Sequence, residues 1–289
     1  MVDFDVAVDQ RVAARGIESA SAVGPTQESN AVIDFDDLAQ EIVFVGSMAI
    51  VIFLMRRLIA ELDPKVRGAL VGTAVIIFVF RAVPLPGPGV TWFEIDVLGF
   101  DERFLSILSL ITSALALVGM VVLRPFMATR SIAYLVALLT IAAGILSLPN
   151  IGLYYGVHEW TGRWTDGIVD ARFIAILDTA IESPLAQISM IPLLAWIAKN
   201  APTHLKATFF AVMASFTNLA LSAASLGTKY LNQIYVIARE VRDRVTGGVE
   251  IPADYGELGW LLITVALITV SLPLLSIFIV QHSPFRTRQ

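Results

Sequence analysis

The stretch FLSILSLITSALALVGMVVL occupies residues 104–123 and contains no ionisable side chain. A helix of about 20 apolar residues spans the hydrocarbon core of a bilayer, and this stretch has that length. A second uncharged stretch of sufficient length, LGWLLITVALITVSLPLLSIFIV, occupies residues 258–280. Neither stretch alternates apolar and polar residues with the period of two that a membrane β-barrel requires. The chain is therefore predicted to be an all-α membrane protein.

The composition of the whole chain points to the same class and argues against several others. Hydrophobic residues make up 56% of the 289 residues and charged residues 16%, against roughly 25% charged residues in soluble domains. The net charge of −5 and the lack of a basic block argue against a nucleic-acid partner. There is no cysteine, and His158, His204 and His282 lie between or beyond the apolar stretches, so no metal site or cofactor is predicted. No phosphate-binding loop or nucleophile elbow occurs, so an enzyme is not predicted.

Seven apolar segments are predicted to form a transmembrane helical bundle over residues 42–281. The preceding residues 1–41 contain nine acidic and two basic residues and no apolar core, which predicts a disordered tail rather than a signal peptide. Residues 282–289 are predicted to form a short cytoplasmic tail. The helices are predicted near residues 42–59, 69–98 with a break at the prolines, 104–123, 132–155, 173–197, 207–235 and 258–280.

Basic residues are concentrated in one set of the loops between these segments. That set contains ten basic and two acidic residues, whereas the opposite set contains nine basic and 21 acidic residues. Cytoplasmic loops carry the excess of Lys and Arg, so the first set and the carboxyl terminus are predicted to be cytoplasmic in a plasma or inner membrane. The tail 1–41 then lies outside, unless the first segment lies along the membrane surface. The ten basic residues are Arg56, Arg57, Lys65, Arg67, Arg124, Arg130, Lys199, Lys206, Arg286 and Arg288.

Asp178 and Glu182 lie four residues apart inside the fifth segment, and therefore on one face of a helix. A charged side chain at the bilayer centre costs roughly 2.5–3.5 kcal/mol, so this face is expected to line the bundle interior or a watery cavity. Two carboxylates one turn apart repel each other, which favours a proton on one of them near neutral pH. Three interpretations stay open: a proton-coupling site, a static charge network that holds helices together, or charges at the membrane interface.

The sixth segment carries a continuous polar stripe at helical spacing. Small Ser and Thr side chains also permit close packing between helices, which is the alternative interpretation for the serines. Asn218 is expected to face a cavity, and Lys229 either belongs to this face or extends to the outer interface. The stripe consists of Thr208, Ser215, Asn218, Ser222, Ser225, Lys229 and Asn232.

Arg81 follows twelve largely apolar residues and precedes the break PLPGPG at residues 84–89. A short apolar segment interrupted by Gly and Pro is typical of a transporter binding site, because broken helices expose backbone groups to a cavity. Arg81 is then expected to pair with Asp178 or Glu182. The alternative is that Arg81 ends its helix at the outer interface.

The stretch APTHLKATFFAVMASFTNL at residues 201–219 resembles the folate–biopterin transporter family of the major facilitator superfamily. Members carry a Pro a few residues before a Gly/Ala-Thr-Leu/Phe-Phe-Ala run, which is followed by Met-Ser and Asn-Leu. Residues 98–113 are similar to the family's segment after its seventh helix. Asp178, followed by Gln187, Met190 and Pro192, resembles the family's tenth helix. The resemblance extends from about Arg67 to Val280.

This resemblance implies that the second to seventh segments correspond to the six carboxyl-terminal helices of a twelve-helix transporter, and the first segment to its sixth helix. The first five helices have no counterpart here. The predicted function is a half-length secondary-active transporter of folate or a pterin, with proton coupling. The alternative is a non-transporting truncated membrane protein, or a half that needs a second chain or a second copy of itself. The candidate substrate and coupling residues are Asp178, Glu182, Arg81, Asn218, Ser215, Ser222, Gln187 and Lys229.

Overall fold

The computed structural model describes residues 35–60, 64–186, 206–243 and 247–285. The chain divides into two units, residues 1–42 and residues 43–289, and the described part of the first unit is the beginning of a helix. Within the described ranges the chain forms ten α-helices and one two-stranded antiparallel sheet. The elements are α1 (Phe35–Ile59), α2 (Pro64–Arg81), α3 (Gly89–Asp96), α4 (Glu102–Val122), α5 (Arg124–Thr129), α6 (Ile132–Tyr154), α7 (Val157–Trp164), α8 (Ala171–Ala186), α9 (Lys206–Ile234), β1 (Val241–Arg242), β2 (Val249–Ile251) and α10 (Leu258–Gln281).

Five of the described helices are long and apolar enough to cross a membrane. They are Ala39–Ile59 within α1, and the whole of α4, α6, α9 and α10. The second predicted segment forms α2, whose 18 residues include the three basic residues Lys65, Arg67 and Arg81. The fifth predicted segment forms α8 as far as Ala186, and its remainder lies outside the described residues. The structure confirms an all-α membrane bundle, and the count of seven spanning helices stays a prediction.

Helix α1 begins at Phe35, seven residues before the predicted boundary at Ile42. The seven residues FDDLAQE contain neither proline nor glycine, so no helix-breaking residue separates them from the apolar segment. Residues 1–34 of the predicted tail lie outside the described residues, and so do residues 286–289.

The bundle is built from closely packed pairs of helices. Helix α6 packs along α10, α4 packs along α8, and α2 lies against α6, α9 and α10. A Cβ atom at Gly119 of α4 would lie 2.6 Å from the Cα atom of Pro184 in α8. Membrane helices use small residues at such crossings, because van der Waals packing between backbones holds them together in lipid.

The predicted break between residues 69 and 98 is a loop that separates α2 from α3. Gly87 has a φ of +83°, a conformation that glycine adopts at little cost. The backbone N–H of Leu85 donates to Thr228 Oγ1 at 2.8 Å, and Asn232 Nδ2 donates to the carbonyl of Pro86 at 3.1 Å. The loop is therefore attached to the last turns of α9.

One end of the bundle is defined by the β1–β2 hairpin, and we call it the hairpin end. Phe93 of α3, Tyr154 of α6, Leu231 of α9 and Leu258 of α10 share one apolar cluster there. The hydroxyl of Tyr154 donates to the carbonyls of Tyr255 and Gly256, just before α10 begins. These contacts join α3, α6, α9 and α10 at the end of the bundle where α2 ends and the loop to α3 begins.

Helix α7 connects α6 to α8 at the hairpin end. Its Trp160 and Trp164 lie one turn apart with ring centroids 5.9 Å apart, and they are 56% and 77% exposed. Exposed tryptophans beside the end of a spanning helix are typical of the membrane–water interface. The pattern indicates that α7 lies at one surface of the membrane.

Candidate functional site

Asp178 is a buried carboxylate near the middle of α8, and only 8% of its surface is exposed. Helix α8 begins after Asp170, whose Oδ1 accepts a hydrogen bond from the backbone N–H of Phe173 at 2.8 Å and so caps the helix. The Oδ2 atom of Asp178 accepts from Asn150 Nδ2 of α6 at 3.1 Å. Its Oδ1 atom is buried and has no hydrogen-bond partner among the described residues. One half of the carboxylate is therefore held by the protein, and the other half is left without a donor.

The position of Asn150 follows from the packing of α6 against α8. Leu153 of α6 shares an apolar cluster with Ala171 and Ala175 of α8, and the small alanine side chains allow the two helices to approach. Asn150 lies three residues before Leu153 and so on the same face of α6. A single amide donor thus reaches Asp178 from the neighbouring helix.

Two further carboxylates lie within electrostatic range of Asp178. Glu182 follows one turn later on α8 and is exposed, and Glu94 projects from α3. The negative charges of these residues each oppose the ionised form of Asp178. We refer to Asp178, Glu182, Glu94 and Asn150 together as the carboxylate site. Within the described residues, no group of three His, Cys, Asp or Glu side chains has the spacing of a metal site.

Glu94 is a member of the site that the sequence analysis did not identify. It is the one ionisable residue between Arg81 and Asp96, and it lies in the segment predicted to be a broken helix. A lone carboxylate after a Pro/Gly break was the signal that could have found it. Its proximity to Asp178 depends on the packing of the α3–α4 connection, where Phe100 and Phe104 join the cluster of Leu153 and Ala175.

Arg81 is the last residue of α2, and its Nε atom is buried without a hydrogen-bond partner among the described residues. It makes no ion pair with Asp178 or Glu182, both of which are described. The structure therefore does not bring Arg81 together with either carboxylate. A guanidinium has five N–H donors and no acceptor, so its buried Nε–H is available to an anionic or carbonyl group.

The polar stripe of α9 is exposed along Ser215, Asn218, Ser222 and Ser225. Each of the three serine hydroxyls donates to a backbone carbonyl one turn earlier, which leaves its oxygen free to accept. The amide of Asn218 makes no hydrogen bond with any described residue. Lys229 is half-buried further along, and Gln187 lies outside the described residues.

The opposite face of α9 explains why the stripe is exposed. Met213 and Phe216 are buried against Leu70 and Ile77 of α2, so α9 turns its apolar side to the bundle and its polar side away from it. No hydrogen bond or ion pair joins the stripe to Asp178 or Glu182 in the described parts of the chain. The carboxylate site and the stripe are two separate polar surfaces in this structure.

A third polar cluster fastens α3 to the loop between α9 and α10. Arg239 donates two hydrogen bonds to Asp96, at 3.0 Å from Nε and 2.8 Å from a terminal nitrogen, and the hydroxyl of Tyr255 donates to Asp96 at 2.6 Å. The hydrogen bonds from Arg239 and Tyr255 hold the pKa of Asp96 below its usual value. Burial and the Asp96 carboxylate raise the pKa of Tyr255 to about 12. We call these three residues the clamp, and the sequence analysis did not predict it.

Comparison with known proteins identifies the family. A model of the BT1 family matches residues 36–286, which is most of the chain. A folate-biopterin transporter from Synechocystis sp. is 27% identical over 144 residues, and the matched stretch covers 50% of this chain and 28% of that relative. No solved structure matches the chain. The chain belongs to the BT1 family, as the resemblance to folate–biopterin transporters of the major facilitator superfamily predicted.

Proposed function

We propose that this chain forms one bundle of a secondary-active transporter that carries folate or a pterin and is coupled to protons. The buried Asp178 carboxylate carries the proposal, because one of its oxygens has no hydrogen-bond partner among the described residues and two like charges lie nearby. Membership of the BT1 family and the similarity to a relative named as a folate-biopterin transporter support it.

The coupling step assigns a proton to Asp178. A carboxylate in apolar surroundings is costly when ionised, and neighbouring negative charges add to that cost. A proton on the unpartnered Oδ1 atom removes one charge, while Asn150 continues to donate to Oδ2. Transport then requires only that the site opens to each side of the membrane in turn, so that the proton is loaded on one side and released on the other.

Substrate binding is assigned to the polar stripe of α9 together with Arg81. A pterin ring presents hydrogen-bond donors and acceptors along its edge, and the Asn218 amide and the hydroxyls of Ser215 and Ser222 can match both kinds. The carboxylates of a folate tail suit a guanidinium such as Arg81, which binds them through paired hydrogen bonds. Lys229 adds positive charge towards the carboxyl-terminal end of α9.

A second bundle, supplied by a second copy of the chain, completes the pathway in this proposal. Exposed polar groups on a membrane helix are stable when they face protein or a watery cavity rather than lipid. The stripe of α9 is such a surface, and alternating access requires two bundles that rock about a site between them. We assign the carboxyl terminus to the cytoplasmic side, and the excess of basic residues in its set of loops supports this assignment.

Uptake of labelled folate and biopterin into cells that express the chain tests this proposal at acidic and at neutral external pH. We expect saturable uptake that is faster at acidic pH, and we expect Asp178→Asn and Glu182→Gln to remove that pH dependence. Asp166→Asn is a matched control, since Asp166 is exposed and asparagine tolerates its φ of 52°. Unchanged uptake and pH dependence in both amide variants would refute the coupling role.

The alternative is a subunit that transports only with a different partner chain, or a chain that does not transport at all. The exposed stripe of α9 favours the partner-dependent form, because it presents polar groups that a neighbouring bundle would cover. The chain contains no cysteine, so a single Ser222→Cys variant tests whether two copies meet at this face. Disulfide-linked dimers of Ser222→Cys, without dimers of Leu267→Cys on the exposed side of α10, would identify a homodimer.

A further inference from the structure

An apolar groove runs between α1 and the pair formed by α2 and α9. It encloses about 300 Å3 and is lined along α1 by Met48, Ile52 and Met55, and on the opposite wall by Val71, Phe78 and Phe216. Arg56 is the one charged residue in its lining. A volume of this size is at the lower end of the range for small-ligand pockets.

The groove exists because α1 packs against the bundle over its last turns. Met55, Leu58 and Ile59 are buried against α2 and α9, whereas Ile50 and Phe53 are exposed. Phe78 and Phe216 contact each other with ring centroids 5.0 Å apart and form the far wall. The space between them and α1 is partly open to the surroundings of the protein.

The lining of the groove decides what kind of group can occupy it. Its side chains are apolar except for Arg56. A polar group without a hydrogen-bond partner would be costly there, so the lining favours a hydrocarbon occupant. A single flexible hydrocarbon chain is narrow enough to enter it.

The positive charge of Arg56 selects among ligands that contain a hydrocarbon chain. Arg56 also lines a second hollow together with Ala49, Ile52, Phe53 and Arg57, so its side chain borders both hollows. Neither Arg56 nor Arg57 makes an ion pair within the described part of the chain. Guanidinium groups bind phosphate through paired hydrogen bonds, and an anionic phospholipid carries its phosphate at the membrane surface, above its two hydrocarbon tails.

We propose that this groove binds one acyl chain of an anionic phospholipid, whose phosphate is held by Arg56 and Arg57. The lipid fills the space between α1 and α2 and attaches the two helices to each other where their side chains do not meet. This role is independent of the transport proposal, because none of the groove residues belongs to the carboxylate site or to the stripe.

Native mass spectrometry of the full chain in detergent, titrated with dioleoyl phosphatidylglycerol or dioleoyl phosphatidylcholine, tests the proposal. We expect phosphatidylglycerol to bind more tightly than phosphatidylcholine. Replacing both arginines, Arg56→Gln with Arg57→Gln, should weaken phosphatidylglycerol binding about thirtyfold, because each basic residue near a lipid surface contributes about 1 kcal/mol. The matched control, Arg124→Gln with Arg130→Gln, removes the same charge from the α4–α6 connection and should bind like the unchanged chain.

A second variant tests the groove itself. Val75 lines it and is 40% exposed, so Val75→Trp should fill the space without disturbing the bundle, as gel filtration can verify. We expect this variant to lose phosphatidylglycerol even though both arginines remain. Equal losses of phosphatidylglycerol binding in the two double-arginine variants would show that the effect comes from general surface charge. Intact binding in Val75→Trp would show that no acyl chain enters the groove. Either result overturns the proposal.

Discussion

The clamp and the carboxylate site each contain a central aspartate on a helix, but the two aspartates differ in burial and in hydrogen bonding. Asp96 accepts three hydrogen bonds, two of them from Arg239, and a quarter of its side chain (26%) remains exposed. Asp178 is more deeply buried and, among the residues that the structure describes, accepts a hydrogen bond from Asn150 alone. The exposed charge is fully paired, and the buried charge is not.

Under the proposed function, we expect this difference to separate a structural role at Asp96 from a coupling role at Asp178. A paired carboxylate at a surface stabilises the contact between the elements that carry the two partners. Here the pairing attaches α3 to the loop between α9 and α10. Burial and an oxygen without a hydrogen-bond donor both disfavour the ionised state of a carboxylate. Carboxylates of this kind cluster at functional sites, where the group changes its charge. We therefore expect substitutions at the first site to change stability and substitutions at the second to change transport.

The largest expected effect follows from Asn150→Leu, which removes the described hydrogen-bond partner of Asp178. A hydrogen bond to a charged group contributes about 1.5–3 kcal/mol, so we expect uptake to fall tenfold or more. Ser147→Ala in the same helix is the control, because the Ser147 hydroxyl donates to the carbonyl of Gly144 in its own helix. Equal uptake rates in the two variants would mean that Asn150 does not orient Asp178.

Glu94→Gln is expected to change uptake about threefold, since it removes one charge that interacts with Asp178 through space. The pH dependence of uptake should move towards acid, because a proton near Asp178 then neutralises less negative charge. Glu159→Gln on exposed α7 serves as the comparison. A pH profile that does not move in Glu94→Gln would remove Glu94 from the carboxylate site.

Arg239→Ala should lower the free energy of unfolding by about 1 kcal/mol, as expected for a bidentate pair that is partly exposed. Transport by the folded fraction should not change. Arg242→Ala removes a local pair with Glu240 in the same hairpin and should cost less. Thermal unfolding in detergent measures both, and a loss of transport without a loss of stability in Arg239→Ala would contradict the structural role of the clamp.

The smallest expected effect is the acid dependence of the clamp. The pKa of Asp96 is lower in the folded chain than its ordinary value of 3.8, so its ionised form stabilises the fold above about that pH. The contribution is lost as the pH falls through 3.8 towards the folded value. The difference in melting temperature between the unchanged chain and Asp96→Asn should therefore shrink in this range. A constant difference down to pH 3 would show that hydrogen bonding at Asp96 does not depend on its charge.

The spanning helices could be predicted from sequence because each is a local property of the chain. The uncharged run at residues 104–123 became a helix from Glu102 to Val122, and its cap at Asp101 lies outside the apolar run. The bilayer imposes the length, so composition alone suffices. The prolines at residues 84–88 likewise predicted a break, because proline lacks the N–H that a continuous helix needs.

The clamp and Glu94 could not be predicted in this way. Asp96 is separated from Arg239 by 143 residues and from Tyr255 by 159, and apolar periodicity carries no information about which polar side chains meet. The same limit affected Arg81, whose expected pairing with Asp178 or Glu182 required a helix arrangement that sequence does not supply. Asp178 differed, because a carboxylate inside an apolar segment is conspicuous whatever its neighbours are.

The tryptophans of α7 indicate where the membrane surface lies, and so how much of the membrane potential acts between that surface and Asp178. Asp178 lies seven residues beyond Ala171, which is about 10 Å along α8 and about a third of a hydrocarbon core of roughly 30 Å. A proton that reaches Asp178 from the hairpin end thus crosses about a third of the membrane potential. At 100 mV this amounts to about 0.8 kcal/mol, or a fourfold change in occupancy. We expect proton loading to be this weakly voltage-dependent, and a steeper dependence would place the site deeper than α7 indicates.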